Sequence, residues 1–287
     1  MSTITGPRIG IALGGGSARG LAHISFIEAM DELGLRPSVI AGTSIGSLIG
    51  AGWAAGMTGR DIREHSFEVL GDMRSITGRL WQTQMRGFRN VFRSGISMQL
   101  DALQITRAFL PPGFTDDFRD LRTPLYIIAT DFRSWHQAVF HSGPIVPAIA
   151  GSIAIPSLFK PVEFDGRLLV DGGVVNPMPL DAVAADTDIL IGIDVNGDPP
   201  EHATTRIPSA IDLTLGSAQI MMHSLIAHYI AAYPPDIYIR PHVSAFGAYE
   251  YWRVREIVEA GARDKERFKR LLGEKVEAFI AGQQKML

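Results

Sequence analysis

The sequence has no cysteine, little net charge and no long apolar run, and each absence narrows what the chain can do. Without cysteine, disulfides, thiolate metal sites and cysteine nucleophiles are excluded. A formal net charge of −3 at pH 7 offers no basic field for a phosphate backbone, so we expect no nucleic-acid partner. No apolar stretch reaches the roughly 18 to 20 residues of a membrane span, and residues 1–10 do not resemble a secretory signal. We therefore expect a cytoplasmic protein, whose contact with a membrane would be peripheral and at its inner face.

The chain is long and apolar enough to fill one large core. It has 287 residues, of which 46% are hydrophobic, so we expect a single domain over residues 1–287. A short apolar run at residues 8–13 ends in three glycines, and residues 21–33 then show the spacing of a helix. The pattern repeats with a strand-like run at 37–41 and a small-residue helix at 45–55. Two consecutive βα units predict a buried, parallel sheet in an α/β fold.

Later parts of the chain give weaker signals. The pair Asp165-Gly166 lies between two apolar runs and indicates a tight hairpin, whose second strand leads to Asp171. An arginine-rich stretch at residues 74–93 also contains Trp, Met and Phe, and we interpret it as an insertion over the sheet, a candidate lid within residues 72–100. Residues 205–287 are expected to be largely helical.

Gly14, Gly15 and Gly16 open a loop that continues to Gly20, between the first strand and the first helix. At such a place free N–H groups and the helix dipole favour an anion. The spacing does not fit G-x-G-x-x-G, whose last glycine would fall at Arg19, and no Gly-Lys-Ser/Thr follows as in a Walker motif. Adjacent glycines can let successive N–H groups converge on one oxygen, as in an oxyanion hole. A turn without chemistry is the alternative.

The second turn, from Gly42 to Gly46, is a G-x-S-x-G motif with a strand before it and a helix after it. In that context Ser44 lies on a sharp, strained turn that holds its hydroxyl clear of the sheet, where larger side chains at the two glycines would collide. Ser44 is the candidate nucleophile, and the N–H of Ile45 is a further candidate oxyanion donor. The alternative is that Ser44 only caps the helix.

A serine hydroxyl is a poor nucleophile until a neighbouring base accepts its proton. Asp171 is the candidate base, because it follows a strand and precedes Gly172 and Gly173, which permit close approach. A solvated Asp-Gly turn is the alternative. His23, one turn into the first helix, is expected to pack in the core.

The histidine pairs do not indicate a metal site. His223 and His228 are five residues apart on one helix, about 140° around it, and His136 and His141 are an odd number apart in a probable hairpin. Neither pair shares a face. We therefore expect no metal and no cofactor.

Three blocks, in this order and at this spacing, resemble those of the patatin-like phospholipase family. They are G-x-G-x-x-[KR]-G at residues 14–20, G-x-S-x-G at 42–46 and D-G-G at 171–173. A weaker likeness is the small-residue, proline-ended segment at 151–156. The resemblance covers about residues 8–195.

The resemblance implies a three-layer α/β sandwich with a mainly parallel central sheet flanked by helices. It also implies hydrolysis of the acyl esters of lipids, as in a lipase or phospholipase A, by a Ser44–Asp171 dyad without histidine. Arg19 matches the basic position of the first block and is expected to brace the glycine loop. The stretch at 74–93 has no counterpart in the family and is a candidate for peripheral membrane contact.

Other functions remain open at this point. A Ser–Asp–His triad completed by His223, His228 or His242 would give an esterase for soluble substrates. A nucleotide-binding α/β domain and a catalytically silent scaffold are further alternatives. The sequence leaves the lipid head group, the acyl length and the oligomeric state open.

Overall fold

The computed structural model describes residues 6–72, 99–185, 187–198 and 210–286. The candidate lid at 74–93 lies outside the described residues.

The described chain contains one mixed sheet of eight strands. These are β1 (Ile9–Leu13), β2 (Val39–Thr43), β3 (Leu125–Asp131), β4 (His136–Phe140), β5 (Val162–Phe164), β6 (Arg167–Asp171), β7 (Ile189–Ile193) and β8 (Ile237–Ile239). Their order is β5-β6-β3-β2-β1-β7-β8, and β4 also pairs with β3. Within this order β3, β2, β1, β7 and β8 are parallel to one another, whereas β4, β5 and β6 form antiparallel pairs. The predicted mainly parallel sheet is confirmed.

Helices cover both faces of the sheet. The helices of the described residues are α1 (His23–Glu32), α2 (Ile45–Ala54), α3 (Gly59–Asp72), α4 (Ala102–Phe109), α5 (Ile145–Ser152), α6 (Asp181–Ala184), α7 (Ala210–Ala232), α8 (Val254–Ala262) and α9 (Lys265–Met286). Side chains alternate along a strand, so Ile11 and Leu13 of β1 join the larger core, which includes Phe26 of α1. Ala12 joins the smaller core with Ile226 of α7. The result is the expected sandwich of helices around a sheet.

The hairpin before Asp171 is built as the sequence predicts. Asp165 and Gly166 join β5 to β6 and have φ angles of 51° and 71°. Two-residue hairpins of the twist-matched type need positive φ at both central positions, which Asp and Gly tolerate better than other residues. This turn fixes the register of β6 against β5.

The C-terminal helices pack against the front of the chain. The ring of Phe268 in α9 meets the ring of Phe26 in α1 edge to face, with centroids 5.5 Å apart. A break in this region is expected near Gly261 and Gly273, and α8 does end at Ala262. Helix α9 runs through Gly273, however, since one glycine costs a long helix only about 1 kcal/mol. In the part of the chain that the structure describes, no helix is both long and apolar enough to cross a membrane.

Candidate active site

The pairing of β3 brings the ends of β2 and β6 together. Along one edge β3 pairs first with β2, where Thr43 is opposite Ile128, and then with β6, where Asp171 is opposite Ala129. Strand β4 occupies the other edge, because Ala129 is also opposite Ala138. The residue that follows β2 and the last residue of β6 therefore meet in the middle of the sheet.

Ser44 lies on a strained turn between β2 and α2. Its φ and ψ are 55° and −124°, a conformation that is costly for any residue with a side chain. A Cβ atom at Gly42 would lie 2.5 Å from the carbonyl oxygen of Gly46, and one at Gly46 would collide with the carbonyl of Leu13. The Ser44 hydroxyl makes no capping bond to α2. The elbow thus needs both glycines, and it leaves the hydroxyl free for another partner.

That partner is Asp171. The Ser44 Oγ donates a hydrogen bond to Asp171 Oδ2 at 2.6 Å, and the Gly173 N–H donates to Oδ1 at 2.8 Å. A Cβ atom at Gly172 would collide with the Ile128 carbonyl, so the turn after β6 also needs a glycine. The structure therefore brings together the two side chains that the sequence identifies.

Burial tunes the acidity of the aspartate. Ser44 and Asp171 are only 5% and 7% exposed. Desolvation raises the pKa of Asp171 from 3.8 to about 6, against the opposing effect of the hydrogen bonds from Ser44 and Gly173. A carboxylate with a pKa near neutral pH is a better proton acceptor than an ordinary aspartate.

The N–H groups that the glycine loop leaves free are not all those that the sequence predicts. The Gly14 N–H donates to Ile193 O at 3.0 Å and the Gly15 N–H donates to Pro177 O at 2.9 Å. Both are committed to the backbone, the first because it continues the pairing of β1 with β7 and the second because the segment after β6 lies beside the loop. Gly14 and Gly15 therefore do not supply oxyanion donors, and this part of the expected site is corrected.

Two other N–H groups remain at this place. Among the described residues, neither the N–H of Gly16 nor that of Ile45 has a hydrogen-bond partner. The loop lies directly against the serine, since a Cβ atom at Gly15 would be 3.6 Å from the Ser44 Cβ. A side chain at Gly16 would collide with the Val195 carbonyl. The loop can approach the elbow only because it is made of glycine.

Arg19 and His23 both donate hydrogen bonds to carbonyl oxygens of the glycine loop. Arg19 is 6% exposed, and its Nε donates to Gly16 O at 3.4 Å. Desolvation lowers the pKa of its guanidinium, an effect that Asp194 opposes. His23 is fully buried and its Nε2 donates to Gly14 O at 2.9 Å. Burial lowers the pKa of His23 to about 4, so the ring is neutral at neutral pH.

Among the residues that the structure describes, none of the histidines named for a triad forms a hydrogen bond with Ser44 or Asp171. His228 is exposed and its Nδ1 bonds to the Ser224 carbonyl of its own helix. His242 pairs with Asp264 at 3.3 Å, with a side chain that is 78% exposed. Within the described residues, no histidine forms a hydrogen bond with either member of the Ser–Asp pair. The same residues contain no group of three or more potential ligands for a metal ion.

Sequence reasoning misses Ser152 as part of the site. Its Oγ accepts a hydrogen bond from the Ser44 N–H at 2.9 Å and donates to the Ile128 carbonyl. It thus ties the elbow to β3 from the end of α5. The only signal in the sequence is its place in the small-residue segment at 151–156.

Residues from the C-terminal part also reach the site. Met222 of α7 lies over the two glycine turns, because its Cε would be 3.7 Å from a Cβ at Gly15 and 3.1 Å from one at Gly173. Burial, followed in importance by the charge of Asp171, raises the pKa of Tyr249 to about 12. No local pattern in the sequence marks these residues, since they reach the site only through the fold.

An apolar cleft opens beside Ser44. Apart from Ser44, its lining is formed by Ile45, Leu48, Ile105, Phe109, Ile153, Ile155, Leu158, Phe159 and Tyr251. Such a surface stabilises an alkyl chain by removing it from water. We call this space the acyl cleft.

Bacterial and fungal proteins are similar to this chain in sequence. An uncharacterized NTE family protein of Mycobacterium tuberculosis is 35% identical over 71% of this chain and 53% of its own length. The lysophospholipase NTE1 of Pyricularia oryzae is 24% identical over 90% of this chain and 18% of its own length. The chain thus spans about half the length of the mycobacterial relative and less than a fifth of the fungal one.

The family assignment rests on sequence. Among solved structures, the ExoU-SpcU complex of Pseudomonas aeruginosa superposes on 95% of this chain and 52% of the other, with a TM-score of 0.47 and 15% identity. This likeness is too distant to carry an argument. The sequence model described as "Patatin-like phospholipase" matches residues 11–184, more than half of the chain, and includes all three glycine-bounded turns. The chain belongs to the patatin-like phospholipase family.

Proposed function

We propose that this protein is a serine hydrolase that releases fatty acids from the acyl esters of lipids, as a phospholipase A or lysophospholipase does. The observation that carries the proposal is the 2.6 Å hydrogen bond from Ser44 Oγ to Asp171 Oδ2. It lies on a strained elbow, it is buried, and it opens onto the acyl cleft. Family membership and the lysophospholipase name of the fungal relatives support lipid as the substrate class.

The first half of the reaction acylates the serine. Asp171 accepts the proton of Ser44 as Oγ attacks the ester carbonyl carbon. The carbonyl electrons move onto oxygen, and the N–H groups of Gly16 and Ile45 stabilise the resulting charge. One such donor contributes about 2.7 to 4 kcal/mol in a related oxyanion hole. Collapse of the tetrahedral intermediate breaks the bond to the alcohol, which leaves with the proton from Asp171.

The second half releases the acid. Water gives a proton to Asp171 and attacks the acyl carbon, and Ser44 leaves and recovers its proton. One carboxylate therefore serves as base and acid in turn, which suits a pKa near the working pH. His23 holds the glycine loop through Gly14 and exchanges no proton.

We further propose that the protein is cytoplasmic and meets its substrate peripherally, through residues 74–93 at the inner face of a membrane. In this stretch Trp81, Met85, Phe88 and Phe92 stand among five arginines. Apolar residues can insert between lipids while arginines pair with anionic head groups. Packing of the same residues on the protein core is the alternative.

A covalent probe tests the nucleophile directly. A fluorophosphonate should label the wild-type protein at Ser44, and Ser44→Ala should abolish both labelling and ester hydrolysis with little change in thermal melting. Ser224→Ala is the control, because this serine is exposed on α7 and its hydroxyl bonds only within its own helix. Labelling that persists in Ser44→Ala would show that another residue is the nucleophile.

A further inference from the structure

A second cavity lies next to the acyl cleft, among α2, α3 and α4. Ile45, Leu48 and Phe109 line both spaces. These three side chains therefore separate the two cavities, and we call them the partition.

The partition consists of side chains on an anchored backbone. Leu48 is the one residue of α2 that is not fully buried, because its side chain faces the cavities. Phe109 ends α4, where its carbonyl oxygen accepts a hydrogen bond from His65 Nε2 at 2.9 Å. Its ring is also half-buried and lies 6.4 Å from the ring of Tyr251. The Leu48 and Phe109 side chains are those that an alkyl chain passing between the two cavities must displace.

The second cavity is suited to an uncharged chain. Its walls beyond the partition are mainly apolar, with Leu21, Ile49, Met57, Ile62, Val69 and Leu70 among them. The polar side chains in the lining are those of His65 and Ser66, and the Nε2 of His65 is already bonded to Phe109. A lining of this kind favours alkyl groups and offers no counter-charge for a head group.

We propose that this second cavity binds an alkyl chain of the substrate that passes the partition from the acyl cleft. The proposal rests on the proposed function and narrows the substrate to lipids with a long acyl chain or with two chains. The occupant is either the distal part of one long acyl chain or the second chain of a diacyl lipid. The chemistry recognised is the same in both cases.

Filling the cavity tests this proposal. Val69→Phe places a larger side chain in the second cavity, whose lining includes neither Ser44 nor Asp171, and Glu68→Phe adds the same side chain on the exposed face of α3 as a control. The substrates are 4-nitrophenyl butyrate, 4-nitrophenyl palmitate and dipalmitoyl phosphatidylcholine in mixed micelles. Each methylene group that loses its contact with an apolar wall weakens the binding constant about fourfold. Val69→Phe should therefore lower kcat/KM at least tenfold on long-chain substrate and less than twofold on butyrate.

The pattern of losses identifies the occupant. A loss on both palmitate and the diacyl lipid assigns the cavity to the distal part of a long chain. A loss on the diacyl lipid alone assigns it to the second chain. The proposal is overturned if Val69→Phe matches Glu68→Phe on every substrate, or if it lowers butyrate hydrolysis as much as the others. Should Val69→Phe fail to fold, Val69→Leu fills the same cavity with less added volume.

A binding measurement separates this inference from the catalytic proposal. Palmitate binding by calorimetry does not need hydrolysis, and Val69→Phe should weaken it at least tenfold relative to Glu68→Phe if the distal chain occupies the cavity. If the wild-type protein hydrolyses no ester, the proposed function fails while such a difference still supports the cavity. If esters are hydrolysed but neither binding nor any long-chain substrate responds to Val69→Phe, only the cavity assignment fails.

Discussion

Replacing Asp171 by asparagine separates the charge of this side chain from its shape. In the folded protein burial raises the pKa of Asp171 from 3.8 to about 6. Because the folded pKa lies above the unfolded one, the folded state binds more protons between these two values. The free energy of unfolding must then fall as pH rises through this window, and it stays lower above it. Asparagine is neutral at every pH and avoids this loss.

The size of the effect follows from the shift. A pKa difference of about 2 corresponds to roughly 3 kcal/mol above both values, and about half of it is already present at pH 5. The hydrogen bond from Ser44 is weaker to a neutral amide than to a carboxylate, which reduces the gain. We expect Asp171→Asn to be about 1 to 3 kcal/mol more stable than wild type at pH 8, with the difference vanishing near pH 4. Urea unfolding at several pH values measures it.

Activity should move in the opposite direction. Asp171→Asn cannot accept the proton of Ser44, so acyl-enzyme formation should slow by about 10² to 10⁴. In the wild type, kcat/KM should rise with pH through about 6, as the aspartate ionises. Asp131 is a control, because it is only half-buried and a hydrogen bond from Ser134 lowers its pKa, so Asp131→Asn should give no stabilisation at pH 8. A flat wild-type profile from pH 5 to 8, or an Asp171→Asn variant less stable than wild type at pH 8, would refute the reasoning.

Three further predictions concern the surroundings of the dyad. Ser152→Ala leaves the buried Ser44 N–H without its partner, so it should cost about 1 to 3 kcal/mol in urea unfolding and lower kcat; unchanged values for both would exclude a bracing role. His23→Gln should keep at least a tenth of the activity and the wild-type pH profile, because the neutral ring only holds the glycine loop; a folded but inactive variant would contradict the histidine-free dyad. Replacing Trp81 and Phe88 by serine should reduce hydrolysis of vesicle lipid far more than hydrolysis of a short soluble ester, whereas equal losses would indicate packing on the core.

The parts of the site that the sequence predicts are those in which close approach of the backbone demands glycine. A Cβ atom at Gly42 would collide with the backbone of Gly46, and one at Gly46 would collide with the end of β1. Gly172 is required by the carbonyl of β3 beside it. Such collisions leave a local pattern of glycine around one reactive residue, and the pattern can be read without knowing the fold.

The parts that the sequence does not predict depend on residues distant in the chain. The N–H groups of Gly14 and Gly15 are taken by the carbonyls of Ile193 and Pro177, more than 160 residues away. Nothing near the three glycines shows this pairing, so the number of free donors is overestimated. Ser152 is missed for the same reason, because its role depends on the distance from the end of α5 to the elbow.

The dyad itself depends on a long-range feature that neither motif contains. Side chains alternate between the two faces of a strand, so a shift of β6 by one residue along β3 would turn Asp171 away from Ser44. Both motifs would then be intact and the site would be lost. The register that prevents this is held by the pairing of Ala129 with Asp171 and by the tight turn at Asp165 and Gly166. The D-G-G block therefore brings its aspartate to Ser44 only because a hairpin five residues earlier sets which way it faces.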